Sequence, residues 1–214
     1  DMIYYVVNEK YRCGRNLKNF NNFIGLPLSI FQFDDSLEVV VLEMGMSDFG
    51  EIDRLASIVK PHIGVITNIG VAHMESLGSR EGIFQAKMEI AKHIAGDDEL
   101  PGTLIYASDS EFLTKERTKG NYDQISVGEK GKDDYIISSV DDFGMDGIKF
   151  TLEHAQKVRQ ISLPLPGRHN AINSALAVAV GDLLGVSPEE ETDGLAAADL
   201  TGNRLKRREN GSIC

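Results

Sequence analysis

Short apolar runs rich in β-branched residues alternate with helical segments through the first half of this chain. A run of this kind is typical of a strand that is buried on both faces of a parallel sheet. The order strand, helix, strand, helix predicts βαβ units and an α/β fold, with a mainly parallel sheet flanked by helices. The predicted strands are Leu37–Leu42, Ile63–Thr67 and Thr103–Ala107, and the predicted helices are 1–11, 47–59, 81–95 and 169–184.

The pattern changes between residues 122 and 165, where short strand-like runs follow one another closely. Turn signals at Gly128, Gly131 and Asp146-Gly147 separate these runs. Closely spaced strands with such turns are typical of hairpins, so we expect a small antiparallel subsheet carried by the main domain. Its strands are predicted at 125–127, 135–140, 148–152 and 158–163.

The chain is acidic, with a formal net charge of −11 at pH 7. A nucleic-acid-binding protein should present a basic face, and the one basic cluster, at 206–208, is short, so we expect no nucleic-acid partner. The excess of acidic residues also means that a polyanionic substrate needs metal ions or locally placed cations.

The remaining composition fits an intracellular globular domain. The most apolar stretch, Ala175–Val186, is broken by Asp182 and is shorter than the roughly 20 residues that span a bilayer, so we expect no membrane insertion. The two cysteines, Cys13 and Cys214, lie near opposite ends of the chain and suit a reducing cytoplasm.

Three polar residues follow predicted strands, at the edge where ligands bind in parallel sheets. Glu43 comes directly after the first strand, and Asn68 and His73 follow the second. A carboxylate and an imidazole here can share one magnesium ion, although Mg²⁺ usually prefers oxygen ligands. The alternatives are a solvated loop carboxylate and an exposed histidine.

Lys87 falls within the apolar stripe that Ile83, Ile90 and Ile94 define on the predicted helix 81–95. Burial of an ammonium group lowers its pKa, and a neutral amine can take up CO₂ to become a carbamate. The alternative is that Lys87 extends its charge to the surface, and the pattern leaves both readings open.

The segment that opens the helix 169–184 carries two asparagines three residues apart, Asn170 and Asn173, which share one helix face. Their amides can both donate and accept, which suits contacts with a nucleobase, and helix capping is the alternative. The phosphate-loop pattern G-x-x-x-x-G-K-S/T does not occur in the chain. Gly131-Lys132 is followed by Asp133 rather than Ser or Thr, so we reject it.

Eight short segments occur in a fixed order over nearly the whole chain. They are Asn19-Phe-Asn-Asn-Phe-Ile-Gly-Leu-Pro-Leu28, Leu42-Glu-Met-Gly-Met46, Gly50-Glu-Ile52, Ile66-Thr-Asn-Ile-Gly-Val-Ala-His73, Leu77-Gly-Ser79, Ala86-Lys-Met-Glu-Ile90, Gly167-Arg-His-Asn-Ala-Ile-Asn173 and Gly202-Asn-Arg204. Taken together, these segments resemble the Mur ligase family, in the family's order. The sequences at residues 19–28 and 43–46 are most similar to the members that join D-alanyl-D-alanine to a UDP-N-acetylmuramoyl-tripeptide.

The resemblance implies a cytoplasmic, monomeric ligase that uses ATP and Mg²⁺. ATP phosphorylates the carboxylate of the UDP-linked peptide, and the amine of D-alanyl-D-alanine attacks the acyl phosphate. The residues implied as magnesium ligands are Glu43, His73 and a carbamylated Lys87. Those implied at the nucleotide are His169, Asn170, Asn173 and Arg204, the last at its phosphates. Those implied as contacts of the uridine-linked peptide are Asn21, Asn22 and Asn68.

The resemblance also implies a domain organisation. Residues 1–201 correspond to the family's central ATP-binding domain, and residues 202–214 to the hinge and the start of a C-terminal domain. We expect the phosphate loop to precede Asp1, and we therefore expect residues 1–214 alone not to form amide bonds. Lys18 stands where the family has Gly before Asn19.

Two alternatives remain for function. A sister ligase, including one of folylpolyglutamate synthase type, would share the scaffold and use a different amine. A non-catalytic nucleotide-binding module would keep the scaffold without a Gly-Lys-Ser/Thr loop upstream of Asp1.

Overall fold

The computed structural model describes residues 1–16 and 19–198, which form an α/β fold. Short 3₁₀ turns lie at Glu89–His93 and Gly144–Asp146. The helices are α1 (Met2–Asn8), α2 (Gly25–Ile30), α3 (Glu51–Val59), α4 (Met74–Leu77), α5 (Arg80–Met88), α6 (His169–Leu183) and α7 (Pro188–Ala197). The strands are β1 (Cys13–Arg15), β2 (Val39–Val41), β3 (Ile63–Ile66), β4 (Thr103–Ala107), β5 (Asp123–Gly128), β6 (Tyr135–Asp142), β7 (Ile148–His154) and β8 (Lys157–Leu163).

Six strands form one sheet in the order β3-β4-β5-β6-β7-β8, and β1 and β2 form a separate parallel pair. The pairs from β3 to β6 are parallel, and those from β6 to β8 are antiparallel. The mainly parallel α/β fold with antiparallel strands is therefore confirmed.

The boundary of the antiparallel part was wrong by one strand. The run at 125–127 lies in β5, which pairs in parallel with β4, so the antiparallel part spans β6 to β8 and continues the main sheet. β6 joins the two parts, because one edge pairs in parallel with β5 and the other antiparallel with β7. Hydrophobic patterning reports which face of a strand is buried, and it does not report the direction of the neighbouring strand.

β2 also differs from its prediction. It covers only Val39–Val41 of the predicted run Leu37–Leu42, and Val40 is 43% exposed, so this strand is not buried on both faces. Among the described residues it pairs with β1 alone. A strand at an edge leaves part of its apolar surface uncovered.

The predicted helix 47–59 begins later than expected, at Glu51. The Glu51 carboxylate accepts hydrogen bonds from the Ser47 and Asp48 N–H groups, at 2.5 and 3.2 Å, and so holds residues 47–50 as a loop ahead of the helix. The predicted helix 81–95 is also shorter, because α5 ends at Met88 and a 3₁₀ turn follows.

Helix α6 is the centre of the main core. Residues 174–181 of this helix are all buried, so it is covered on every side rather than amphipathic. It contacts the strands β4 to β7 on one side and the helices α1 and α7 on the other. None of the helices in residues 1–16 and 19–198 combines the length and the apolar character needed to cross a bilayer.

A buried ionic cluster ties α6, α7, β6 and β8 together. Arg159 donates to Asp182 and, at 2.6 Å, to Glu191, while the Tyr135 hydroxyl donates to Asp182 at 2.9 Å. The Glu191 side chain is only 1% exposed, and its Oε1 atom has no hydrogen-bond partner among the described residues. Burial, with a contribution from Asp182, raises the pKa of Glu191 to about 8.

The raised pKa of Glu191 predicts a pH dependence of stability. The folded state binds this proton more tightly than the unfolded chain, so the free energy of unfolding should fall as the pH rises from about 4.5 to about 8. Glu191→Gln removes the titration, and urea unfolding across this window should show a smaller fall. Glu189→Gln, on the same helix and exposed, is the control and should keep the wild-type dependence. An unchanged dependence in Glu191→Gln would contradict the assignment.

Candidate active site

The loops that follow β2 and β3 are held together by side-chain bonds to backbone. Ser76, in α4 after β3, donates to the carbonyl of Ser47 in the loop after β2. Glu89 is buried, and its carboxylate accepts from the N–H groups of Gly50 at 2.8 Å and Asp53 at 3.1 Å. These bonds fix the start of α3 and bring the β2 loop against the region that carries Lys87.

Glu43 lies on the β2 loop as an exposed carboxylate whose direction is set by Asn21. The Asn21 Nδ2 atom donates to Glu43 Oε1 at 2.8 Å, and the Asn21 carbonyl accepts from the Gly45 N–H at 2.7 Å. A Cβ atom at Gly45 would lie 2.8 Å from the Asn21 amide, so a larger residue here would displace that side chain. Glu43 Oε2 makes no hydrogen bond to the described residues.

Asn16 is a site residue that sequence reasoning missed. Its side chain is buried and makes three hydrogen bonds, to Glu43 N, Glu43 O and Phe20 O. Asn16 directly follows β1, a three-residue strand whose sequence, Cys-Gly-Arg, has no recognisable strand pattern. An asparagine after a strand end was the one available signal, and it required β1 to be recognised first.

Lys87 differs from its predicted place within an apolar stripe. It is half-buried, and its Nζ atom donates to the Asn68 carbonyl at 2.7 Å and to Asn68 Oδ1 at 3.3 Å. Burial lowers the pKa of Lys87 below its ordinary value. The lysine therefore does not enter the apolar core, and it spans from α5 to the loop after β3 at a partly exposed position.

His73 follows Asn68 along the same loop and is exposed. Its backbone is left-handed, with a φ of 65°, which is uncommon for a residue other than glycine. It lines an open cavity of about 480 Å³ together with residues 71 and 74–76. The His73 side chain is therefore accessible from this cavity.

The described residues include no group of three or more His, Cys, Asp or Glu side chains that could hold a metal ion. Mg²⁺ commonly takes one or two protein carboxylates together with substrate phosphates and waters, so a dedicated cage is not required. Glu43 and His73 each present an exposed side chain in this region.

The asparagines at the start of α6 differ in their surroundings. Asn170 is buried, and its Nδ2 atom donates to the Pro166 carbonyl at 2.8 Å, which is a structural role. Asn173 is half-buried and makes no hydrogen bond within the described part of the chain. His169 is exposed and packs against Gly167, where a Cβ atom would lie 2.7 Å from its ring.

Like Asn170, Asn22 uses its side chain to hydrogen-bond backbone groups. Its Oδ1 atom accepts from the N–H groups of Ile24 at 3.1 Å and Gly25 at 2.8 Å, and this starts α2. Arg204, the segment 202–214 and Lys18 lie outside the described residues.

Comparison with known proteins places this arrangement in one family. The family described as Mur ligase middle domain matches residues 1–181. The UDP-N-acetylmuramoyl-tripeptide–D-alanyl-D-alanine ligase of Bacillus subtilis is 39% identical over 209 residues, which cover 96% of this chain and 43% of that protein. The ligase of the same name from Escherichia coli is 27% identical over 91% of this chain and 43% of its own length.

Solved structures agree with the sequence comparison. MurF from Acinetobacter baumannii superposes with a TM-score of 0.87 at 30% identity, over 96% of this chain and 44% of that chain. MurF ligase from Thermotoga maritima in complex with ADP superposes with a TM-score of 0.78 at 28% identity, over 92% of this chain and 44% of that chain. The chain thus spans less than half the length of these relatives, and it belongs to the Mur ligase family through the family's middle domain.

Proposed function

We propose that the full-length protein is an ATP-dependent ligase that joins D-alanyl-D-alanine to a UDP-N-acetylmuramoyl-tripeptide in peptidoglycan precursor synthesis. The 39% identity to the Bacillus subtilis ligase supports the choice of substrates. The observation that carries the chemistry is the contact of Lys87 with Asn68, because it holds an amine with a lowered pKa at the end of β3.

We assign residues 1–201 to the central ATP-binding domain and residues 202–214 to the hinge towards a C-terminal domain. We further propose a cytoplasmic, monomeric enzyme. In this organisation the parallel strands present their carboxyl ends to the nucleotide and the peptide, as is usual for open α/β sheets.

Glu43, His73 and a carbamylated Lys87 would hold Mg²⁺. The metal would neutralise charge on the transferring phosphoryl group, which an acidic chain needs in order to accept ATP. Carbamylation replaces the positively charged ammonium of Lys87 with a negatively charged carbamate, which offers two hard oxygen ligands. The lowered pKa of Lys87 favours this reaction, because CO₂ adds to the neutral amine.

Other residues of the chain would bind and orient the substrates. His169 and Asn173 are free to contact the nucleobase, and Asn170 would support them by holding the start of α6. Arg204 would reach the phosphates.

The peptide carboxylate would be oriented near three asparagines of the site. Asn68 accepts from Lys87, and Asn21 donates to Glu43. Asn22 shapes the adjoining turn. Because these bonds hold the loops in place, each asparagine would contact the substrate from a defined position. The carboxylate takes the γ-phosphoryl group of ATP. The D-alanyl-D-alanine amine then attacks the acyl carbon and loses a proton as phosphate leaves.

The proposed function is tested by supplying the full-length protein with the tripeptide precursor, ATP, Mg²⁺ and one amine at a time. We expect phosphate release and a new amide only with D-alanyl-D-alanine. Efficient ligation of another amino acid in its place would indicate a sister ligase. ATP binding without ligation of any amine would indicate a non-catalytic module.

Lys87→Ala tests the role assigned to the carbamate. The substitution removes a metal ligand, so turnover of the full-length enzyme should fall about 100-fold or more, since a catalytic metal contributes several kcal/mol. Short carboxylic acids should restore part of the activity by filling the vacated space.

Lys92→Ala is the matched control, because Lys92 is exposed and pairs with Asp53 at 3.1 Å, away from Asn68. It should keep near-normal turnover. Near-normal turnover of Lys87→Ala would instead indicate that Lys87 only extends its charge towards the surface and is not a metal ligand.

A further inference from the structure

We propose that Asn16 is a positioning residue that orients the Glu43 carboxylate for metal binding, an inference that rests on the proposed function. The proposal comes from the hydrogen bonds of one buried side chain. Asn16 itself would touch neither the metal nor the substrates, and it would act through the backbone of Glu43.

The geometry of the contact is specific to Glu43. Asn16 Oδ1 accepts from the N–H of Glu43 at 2.5 Å, and Asn16 Nδ2 donates to the carbonyl of Glu43 at 3.2 Å. The two bonds hold the peptide groups before and after Glu43. Holding both peptide groups restricts φ and ψ of that residue, and these angles set the direction in which its side chain leaves the backbone.

The same amide also links Glu43 to the segment that carries Asn21. Asn16 Nδ2 donates to the Phe20 carbonyl at 2.7 Å, one residue before Asn21. Asn21 in turn donates to the Glu43 carboxylate at 2.8 Å. Asn16 therefore holds the backbone of the acid and, through the neighbouring residue, the group that holds its side chain.

Burial makes this arrangement hard to replace. Asn16 is 9% exposed, so water has little access to the carbonyl and N–H groups that it satisfies. Asparagine supplies both an acceptor and donors from one planar group, which the arrangement at Glu43 requires. An aspartate of the same size would keep the acceptor and lose both donated bonds, so it separates the two functions of the amide.

The expected effect follows from the role of outer-shell groups at metal sites. Such groups orient the ligand before the metal arrives, and their loss commonly weakens metal affinity about 10- to 100-fold. Asn16→Ala should therefore weaken divalent-metal binding within that range in the full-length protein with ADP bound.

The experiment measures Mn²⁺ affinity by electron paramagnetic resonance and amide hydrogen exchange at Glu43 in the full-length protein. Asn16→Ala should lower the affinity and accelerate exchange of the Glu43 N–H. Asn16→Asp should keep slow exchange of this N–H, through its remaining acceptor, and still weaken Mn²⁺ binding. If Asn16→Ala does not fold, the Asn16→Asp variant alone tests the proposal.

Thr118→Val is the matched control for loss of buried hydrogen bonds. Thr118 is fully buried, donates to Thr114 O at 2.9 Å and accepts from Gln124 Nε2 at 2.5 Å, far along the chain from Glu43. It should leave Mn²⁺ affinity near the wild-type value, because its hydrogen-bond partners, Thr114 and Gln124, are not shared with Asn16 or Glu43. An equal loss in Thr118→Val and Asn16→Ala would overturn the proposal in favour of general destabilisation.

The Glu43→Gln variant distinguishes failure of the positioning role of Asn16 from failure of the metal role of Glu43. Weaker Mn²⁺ binding in Glu43→Gln with wild-type binding in both Asn16 variants would overturn the positioning role alone. Wild-type binding in Glu43→Gln would overturn the metal role of Glu43 in the proposed function, and the positioning role would fail with it.

Discussion

The packing of α6 against α1 is the constraint on which the site depends. α6 contacts the six-stranded sheet, α1 contacts α6, and α1 also contacts β1 and β2. Among the described residues the two sheets share no strand pairing. This helix pair is therefore one of the contacts that relate the β1–β2 pair to the main sheet, beside the hydrogen bonds from Ser76 and Glu89. The relation matters because Glu43 lies in the loop after β2, whereas Lys87 contacts Asn68 in the loop after β3.

Three asparagine side chains around the site hold backbone groups in place. Asn16 holds Glu43, Asn22 starts α2, and Asn170 holds the turn before α6. An amide suits this role because it donates and accepts without adding charge to a chain that is already acidic.

The fold class was predictable from sequence because buried strands and helices leave strong periodic signals. The runs at Ile63–Thr67 and Thr103–Ala107 became β3 and β4 with nearly the same bounds. The short strand β1 was missed because three residues carry too little periodicity. The direction of β5 was missed because strand pairing is decided by tertiary contacts rather than by local pattern.

The candidate site was predictable in its residue types and less so in their contacts. Helical periodicity marked Lys87 as unusual, but its partner Asn68 lies 19 residues away on another element. The pairing of Asn21 with Glu43 depends equally on a loop contact across 22 residues. Contacts of this kind follow from how the loops meet, which no single segment encodes.

The central proposal is that Glu43, His73 and a carbamylated Lys87 act as magnesium ligands. A crystal structure of the full-length protein with ADP and Mn²⁺, with the metal located by anomalous scattering, tests it most directly. We predict metal bonded to a Glu43 oxygen and to a carbamate on Lys87, at about 2.0–2.1 Å as expected for the oxygen ligands of Mg²⁺. Metal bound to other protein ligands, with Lys87 still a free amine donating to Asn68, would contradict it.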